Sequence, residues 1–486
     1  MAQSPSAPAS TALRRAAARR RRGPLVLLAL FLLTLPAVTV RLYASDEVQY
    51  FAFLRSLWFD RDVSFENEYS AFYDRGVGRY ALFRETLLER QTETGLRLNF
   101  GTIGPAILWL PFYALADAGV VIARANGSLI VRDGYSWPYL AAVCYGSALY
   151  GFLAVLLSAR LAERMTGVGH GAAAAIWLGT PLLFYMYLAP GMAHAVSAFS
   201  VAAMLTIWLH IRDRWTVRGT IALGAIAGLV VMVREQDAIL LLAPLLDYAV
   251  ALSRRIRRSD MHWGTELALA AGGLVSFAVV YLPQAFAYLA LNGRIGPSRL
   301  VTRKMAWMSP HALEVVFSPH HGLLAWTPLA ALAIVGLYLL ARRSGAAGAA
   351  ADQRDHLRPV TIGLLLAVLG QIYISGAVES WTVAGAFGQR RFVAITPILT
   401  IGLAALWQAV RARPLRLPVG AVVAVAIWWN LGLMALFGTR MMDRQRLELG
   451  RNAYDVFITV PRSAPSLAWR YVVARDSFFA PPTDPR

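Results

Sequence analysis

Apolar runs of nearly uniform length recur along the chain, separated by mostly short polar interruptions. They fall at 24–42, 101–123, 137–159, 171–189, 193–211, 217–234, 236–252, 265–290, 322–341, 359–377, 392–411 and 417–438. Each is close to the roughly 20 residues that a membrane-spanning helix needs. The pattern predicts an all-α polytopic membrane protein with about 11–13 transmembrane helices. Three interruptions are long enough to carry chemistry: 43–100, 291–321 and 378–391. The stretch SGAAGAAADQRDHLR, 344–358, reads as a flexible connector. Three parts follow: an Ala/Ser/Pro/Arg-rich leader over 1–23, expected to be disordered and cytoplasmic; a membrane domain over 24–439; and a polar tail with scattered aromatics over 440–486. The halves show no repeat, because loop 43–100 has no counterpart later in the chain, whereas many secondary transporters are built from paired halves.

Composition agrees with this pattern. The chain is 57% hydrophobic and 15% charged, against roughly 25% charged residues in soluble domains. A formal net charge of +19 could signal nucleic acid, but its placement argues for a membrane. Arginines cluster between apolar runs, at 14–22, 212–218, 254–258, 342–343 and 411–416. That is the positive-inside pattern of short cytoplasmic loops. It puts 43–100, 291–321, 378–391 and the tail outside. One conflict of parity remains. If 101–123 and 137–159 both cross, Arg160 and Arg164 fall outside and every later loop inverts. One segment between 101 and 211 is therefore expected to be re-entrant, split or not a span. The first apolar run is longer than a signal-peptide core and no small-residue cleavage site follows it, so it reads as an uncleaved helix. Cys144 is the only cysteine, which excludes an intrachain disulfide and a multi-cysteine zinc site.

The candidate chemistry begins at SDEVQYFAFLRSLWFD, 45–60. Asp46 and Glu47 stand where the first apolar run ends, and a carboxylate near hydrocarbon is a functional candidate. Tyr50, Phe53, Leu54, Leu57 and Trp58 follow with helical spacing. They predict a helix lying flat at the membrane surface and flooring a cavity. Asp60, Asp62, Glu66, Glu68 and Asp74 read as solvated loop charges. In NFGTIGPAILWLPFYALA, 99–116, Gly101, Gly104 and Pro105 loosen a helix start.

Later stretches supply possible partners. His194 lies between two apolar segments and reads first as an interface residue. Arg234 opens the short turn Arg234-Glu235-Gln236-Asp237 and could reach an anion. His320 and His321, in VFSPHHGLLAWTP, stand before a helix beginning at Gly322, whose free N–H groups would favour phosphate. In ESWTVAGAFGQRRFVAITP, 379–397, Glu379 and Trp381 precede two glycines, and Arg390 and Arg391 follow. Paired arginines on the outer side run against the positive-inside bias. Either they pair with loop acids such as Glu379, or they bind phosphate in the forked mode of guanidinium. No third His or Cys ligand lies at a telling spacing, so no metal site is read.

Together SDEVQYFAFLRSLWFDRDVSFENEY, NFGTIGPAILWLPF, MAHAVSAF, SPHHGLLAWTP and WTVAGAFGQRRF resemble the GT-C superfamily of membrane glycosyltransferases, more narrowly its bacterial members related to protein mannosyltransferases and aminoarabinose transferases. The resemblance implies a GT-C-like bundle with a large first extracytoplasmic loop carrying interfacial helices. It implies Asp46 as catalytic base with Glu47 as second acid. Arg390, Arg391 and Arg234 would bind the phosphate of a polyprenyl-phosphate sugar. His194, His320, His321, Glu379 and Trp381 would line the pocket. The acceptor would be a lipid, glycan or protein hydroxyl, the reaction inverting, and the site on the outer face of a bacterial inner membrane. No cofactor is certain, and a divalent metal is left open without support from these residues. The second acidic motif of oligosaccharyltransferases is missing at 187–199, where His194 stands, which argues against metal dependence. The alternatives are a transporter or flippase of lipid-linked glycan, a non-catalytic envelope scaffold, and a polymerase or ligase using pyrophosphate-linked donors.

Overall fold

The structure is a computed structural model that describes residues 22–77, 81–343 and 351–478. Most of the expected leader lies outside the described residues, as do 344–350 and 479–486. The helices are α1 (Arg22–Ala37), α2 (Ser45–Arg55), α3 (Glu66–Asp74), α4 (Gly104–Ala125), α5 (Trp137–Thr166), α6 (His170–Gly179), α7 (Leu182–Tyr187), α8 (His194–Ile211) and α9 (Val217–Val233). After them come α10 (Leu242–Arg257), α11 (Trp263–Asn292), α12 (Leu329–Arg343), α13 (Ala351–Ala377), α14 (Arg390–Val410), α15 (Arg416–Gly438) and α16 (Val460–Val473). Among the described residues the only β pairing is two isolated bridges, Gln91 with Arg97 and Met305 with Val378. Among the described residues seven helices are long and apolar enough to cross a bilayer. The protein is an all-α polytopic membrane protein.

Several boundaries follow from local chemistry. The Thr216 hydroxyl accepts the Gly219 N–H at 3.1 Å and caps α9. Gly167, at φ 74°, ends α5 in the left-handed conformation. The run 171–189 is two helices, broken at Thr180-Pro181. Thr180 is extended (ψ 165°) because the residue before proline is driven from the α region. Thr327-Pro328 breaks the run 322–341 in the same way, leaving a short helix over Leu323–Trp326 before α12. The connector expected over 344–358 is shorter, since α13 already begins at Ala351.

The direction of each helix follows from its contacts. α5 and α8 run side by side in parallel: the Tyr150 and Phe199 rings are 4.8 Å apart, and Arg164 meets Asp213 at 3.8 Å beyond their far ends. α4 is antiparallel to α5. Tyr150 donates to the Leu108 carbonyl at 3.0 Å, Trp109 to Ser147 at 2.8 Å and Tyr139 to Asp117 at 2.6 Å. α4 therefore starts level with the ends of α9 and the start of α8, and then runs away from the bundle. Its start is fixed by close packing: a Cβ on Gly104 would lie 2.5 Å from the Met232 backbone. Gly104–Ala125 has the length and apolarity of a span, yet its path is that of a helix in the layer above the bundle. This is the segment that upsets the parity of the apolar runs.

That layer is built from the first loop. Phe51, Phe65, Tyr69, Phe72, Trp109 and Tyr113 form its core. The flat surface helix expected from the spacing in 45–60 is not what forms. Phe51 and Phe53, on opposite sides of α2, both have 0% exposure, so α2 is buried on opposite faces and only Ser45, Asp46, Tyr50 and Arg55 are part-exposed. Glu68, expected in solvent, is also fully buried, where it accepts from Arg55 at 2.9 Å.

Candidate active site

The acids at the start of α2 have opposite fates. Glu47 reaches back over the helix start and accepts the N–H groups of Tyr43 at 2.9 Å and Ala44 at 3.0 Å. This is the reach-back half of a capping box, and it satisfies donors that a helix start leaves orphaned. The side chain is fully buried, with Oε1 lacking a hydrogen-bond partner. Burial pushes its pKa up to about 7 against the opposing pull of those backbone bonds. Asp46 points the other way, into a cleft. Its Oδ2 accepts from Arg390 Nη1 at 2.8 Å, with side-chain exposures of 39% for the acid and 22% for the arginine.

Arg390 arrives there because of the turn before it. Gly388 has φ 59° and lies so close to Pro181 that a Cβ would be 2.8 Å from it. The break between α6 and α7 thus receives the turn that carries Arg390. Gln389 ties the turn down by donating to the Trp381 carbonyl at 3.1 Å. Arg391 faces the opposite side. It donates to the Ser375 carbonyl at 3.3 Å and the Ser380 hydroxyl at 3.0 Å, pinning the end of α13. Neither arginine is bonded to Glu379, which is exposed and offers its backbone N–H to Lys304.

Three more elements close the cleft. Arg234, in extended backbone after α9, places Nη1 2.6 Å from His194 Nδ1 at the start of α8. Arginine has no lone pair to give, so Nδ1 accepts and the imidazole proton sits on Nε2. The His194 ring stands 4.5 Å from the Tyr185 ring on α7. Tyr185 in turn donates to the Phe387 carbonyl at 3.2 Å, in the arginine-bearing loop. Asp237 is buried and accepts from Ser197 at 2.5 Å. Tyr50, one turn beyond Asp46, lies within electrostatic reach of Asp46, Arg234, Arg390 and Asp237.

The structure therefore brings Asp46, His194, Arg234 and Arg390 into one cleft and places Glu47 and Arg391 in its walls. The histidine pair stands apart. His321 has φ 61° and 0% exposure, stacks on Trp326 at 4.8 Å and bonds the Arg444 carbonyl at 3.1 Å. Burial lowers its pKa to about 4, so it packs as a neutral ring. The helix after it is only Leu323–Trp326, which corrects the expected phosphate-binding helix start. His320 is half-buried beside it, its N–H on the Ser318 hydroxyl at 3.1 Å. Trp381 stacks on His311 at 5.2 Å, outside the cleft.

Tyr50, Tyr185 and Asp237 are not among the site residues expected from the sequence. Tyr50 had a signal, since it shares the helical face of Asp46 at i+4. Asp237 stood in the charged turn already noted, and Tyr185 had none. Among the described residues no group of three His, Cys, Asp or Glu side chains converges as a metal site would require. No known family, curated protein or solved structure matches this chain.

Proposed function

We propose that the protein is an integral-membrane glycosyltransferase that moves a sugar from a polyprenyl-phosphate donor to a hydroxyl acceptor. The observation that supports this best is the half-open contact of Asp46 with Arg390 at 2.8 Å, at the lip of a cleft that also holds Arg234. A donor phosphate competes with Asp46 for Arg390, because guanidinium binds either oxyanion in a forked pair. Asp46 is then free to take the acceptor's hydroxyl proton. The acceptor oxygen attacks the anomeric carbon, and the bond from that carbon to the phosphate oxygen breaks. The electron pair leaves with the polyprenyl phosphate, whose charge meets Arg390 and Arg234. Attack opposite the leaving group inverts the anomeric centre. Arg391 and Glu47 hold the arginine turn and the start of α2 in place.

The site's location fits a lipid-borne donor. From Glu266 to Gln284, which is level with the cleft through its bond to the Ile103 N–H, α11 rises roughly 27 Å, close to one hydrocarbon thickness. With α4 outside the bundle there are eleven crossings: α1, α5, α6 with α7, α8, α9, 235–257, α11, 323–343, α13, α14 and α15. The arginine turns at 212–218, 254–258, 342–343 and 411–416 then lie on one side and the cleft on the other, although the arginines at 294–303 and 440–451 share the cleft's side. The short turns are what the positive-inside rule weighs, and they favour an extracytoplasmic site in a bacterial inner membrane.

The decisive experiment supplies membranes with a radiolabelled polyprenyl-phosphate sugar. Wild type is expected to pass label to an acceptor fraction, and an inserted Asp46→Asn protein is not. Equal transfer by both would refute the assignment; passage of intact donor across sealed vesicles without bond cleavage would favour a flippase. The topology has its own check. Because the one native cysteine, Cys144, is buried, a cysteine placed at Ser128 should react with an impermeant reagent from outside and one at Gly264 should not.

A further inference from the structure

At the end of the bundle opposite Asp46 there is a hollow. It has a volume of about 1070 Å³ and lies between α1, the α5–α6 turn, α14 and α15. Its wall is apolar: Leu27, Leu403, Leu406, Trp407 and Val423 line it along the helix axes. Its mouth is basic. Arg22 and Arg411 stand there, both exposed, with His170 3.9 Å from Glu163 as the remaining titratable pair. Gly171 lines it at an open position, where a Cβ would meet nothing within 4 Å.

We infer that this groove binds an anionic two-chain phospholipid of the cytoplasmic leaflet, its phosphate at Arg22 and Arg411 and its acyl chains along α14 and α15. The volume, about 1070 Å³, is just above the roughly 300–1,000 Å³ of small-molecule pockets, and the long apolar wall with one cationic end asks for an elongated amphiphile of opposite charge. Basic pockets between helices on the cytoplasmic side are where anionic head groups bind. The groove plays no part in the transfer step, so the inference stands or falls apart from it.

The test uses the full-length protein purified from membranes of mixed phosphatidylglycerol and phosphatidylcholine, with retained lipids counted by native mass spectrometry. Wild type is expected to keep phosphatidylglycerol in preference. Arg411→Gln should lower that preference about fivefold, the share of one basic residue near an anionic head group, while total retained lipid holds. Gly171→Trp fills the groove and should lower retention of both lipids. Equal retention of the two lipids by wild type, or a preference unchanged in Arg411→Gln, overturns the inference. Arg411 is exposed, so that variant reads out even where the tryptophan protein does not fold.

Discussion

Two arginine–aspartate pairs, one at each end of the bundle, show how alike chemistry serves different ends. At the end opposite the cleft Asp247 takes Arg212 through both Nε and Nη2 at 2.9 Å and also the Trp208 indole N–H at 3.0 Å. The Arg212 and Asp247 side chains are 10% and 6% exposed. Three of the roughly four acceptor sites of that carboxylate are filled, and its burial leaves little for a ligand. At the other end Asp46 holds Arg390 by one contact of 2.8 Å and is 39% exposed. A buried bidentate pair ties α8 to α10. A single, half-open contact leaves oxygen lone pairs and guanidinium N–H groups to be exchanged with a substrate.

The comparison is sharpened most by separating activity from stability at the two ends. Asp46→Asn is expected to lower transfer by about 10²–10⁴-fold, the usual share of a general base. Its melting temperature should scarcely move, because a pair this exposed contributes about 0–1 kcal/mol. Arg390→Gln should follow at about 10²-fold, as for loss of one donor to a developing anion. Arg390→Lys should fall between, keeping the charge and losing the fork. Asp247→Ala should do the reverse. It leaves the Arg212 guanidinium with only the exposed Asp213, 3.3 Å from Nη1, and should cost up to about 3–5 kcal/mol, read as a drop in melting temperature, with transfer per folded molecule unchanged. A stable, inactive Asp247→Ala protein, or an unfolded Asp46→Asn protein, would break the distinction.

How much of this the sequence showed depends on which physics each feature obeys. The helical class, the side of the arginine turns and the candidacy of Asp46 and Arg390 came from hydropathy and charge placement, which act along the chain. Other features are set by packing. An apolar stretch such as Gly104–Ala125 has the same composition whether lipid or a layer of Phe and Tyr rings covers it, so its path outside the bundle showed only as a failure of parity. Arg390 and Arg391 are chemically equal, and only the turn through Gly388 against Pro181 decides which enters the cleft. His320 and His321 looked like a ligand pair because the sequence hides the stacking of His321 on Trp326. Glu47 was more legible than it was taken to be: glutamate at the third position of a helix, reaching back to the helix start, is a capping signal.

Glu47 also gives the subtlest prediction, one that tests its place in the wall against a place beside Asp46. Its pKa in the folded protein is raised to about 7 from an ordinary 4.5, chiefly by burial. Between those values the folded state holds a proton that the unfolded state has lost. Folding stability is therefore greatest on the acid side, falls as pH rises through about 7, and is level above that. The full span is on the order of 3 kcal/mol. Glu47→Gln cannot lose a proton, so its stability should be flat across that window. Its absolute stability is not the readout, because the new amide N–H group faces the position where Oε1 has no partner and costs about 1–3 kcal/mol of its own. The slope is. Melting temperatures of the detergent-solubilised wild type should decline between about pH 5 and pH 8 relative to those of Glu47→Gln, while the variant keeps most of the transfer activity that Asp46→Asn loses. Parallel melting curves would mean that Glu47 is ionised and solvated, and loss of activity as deep as that of Asp46→Asn would move it from the wall into the chemistry.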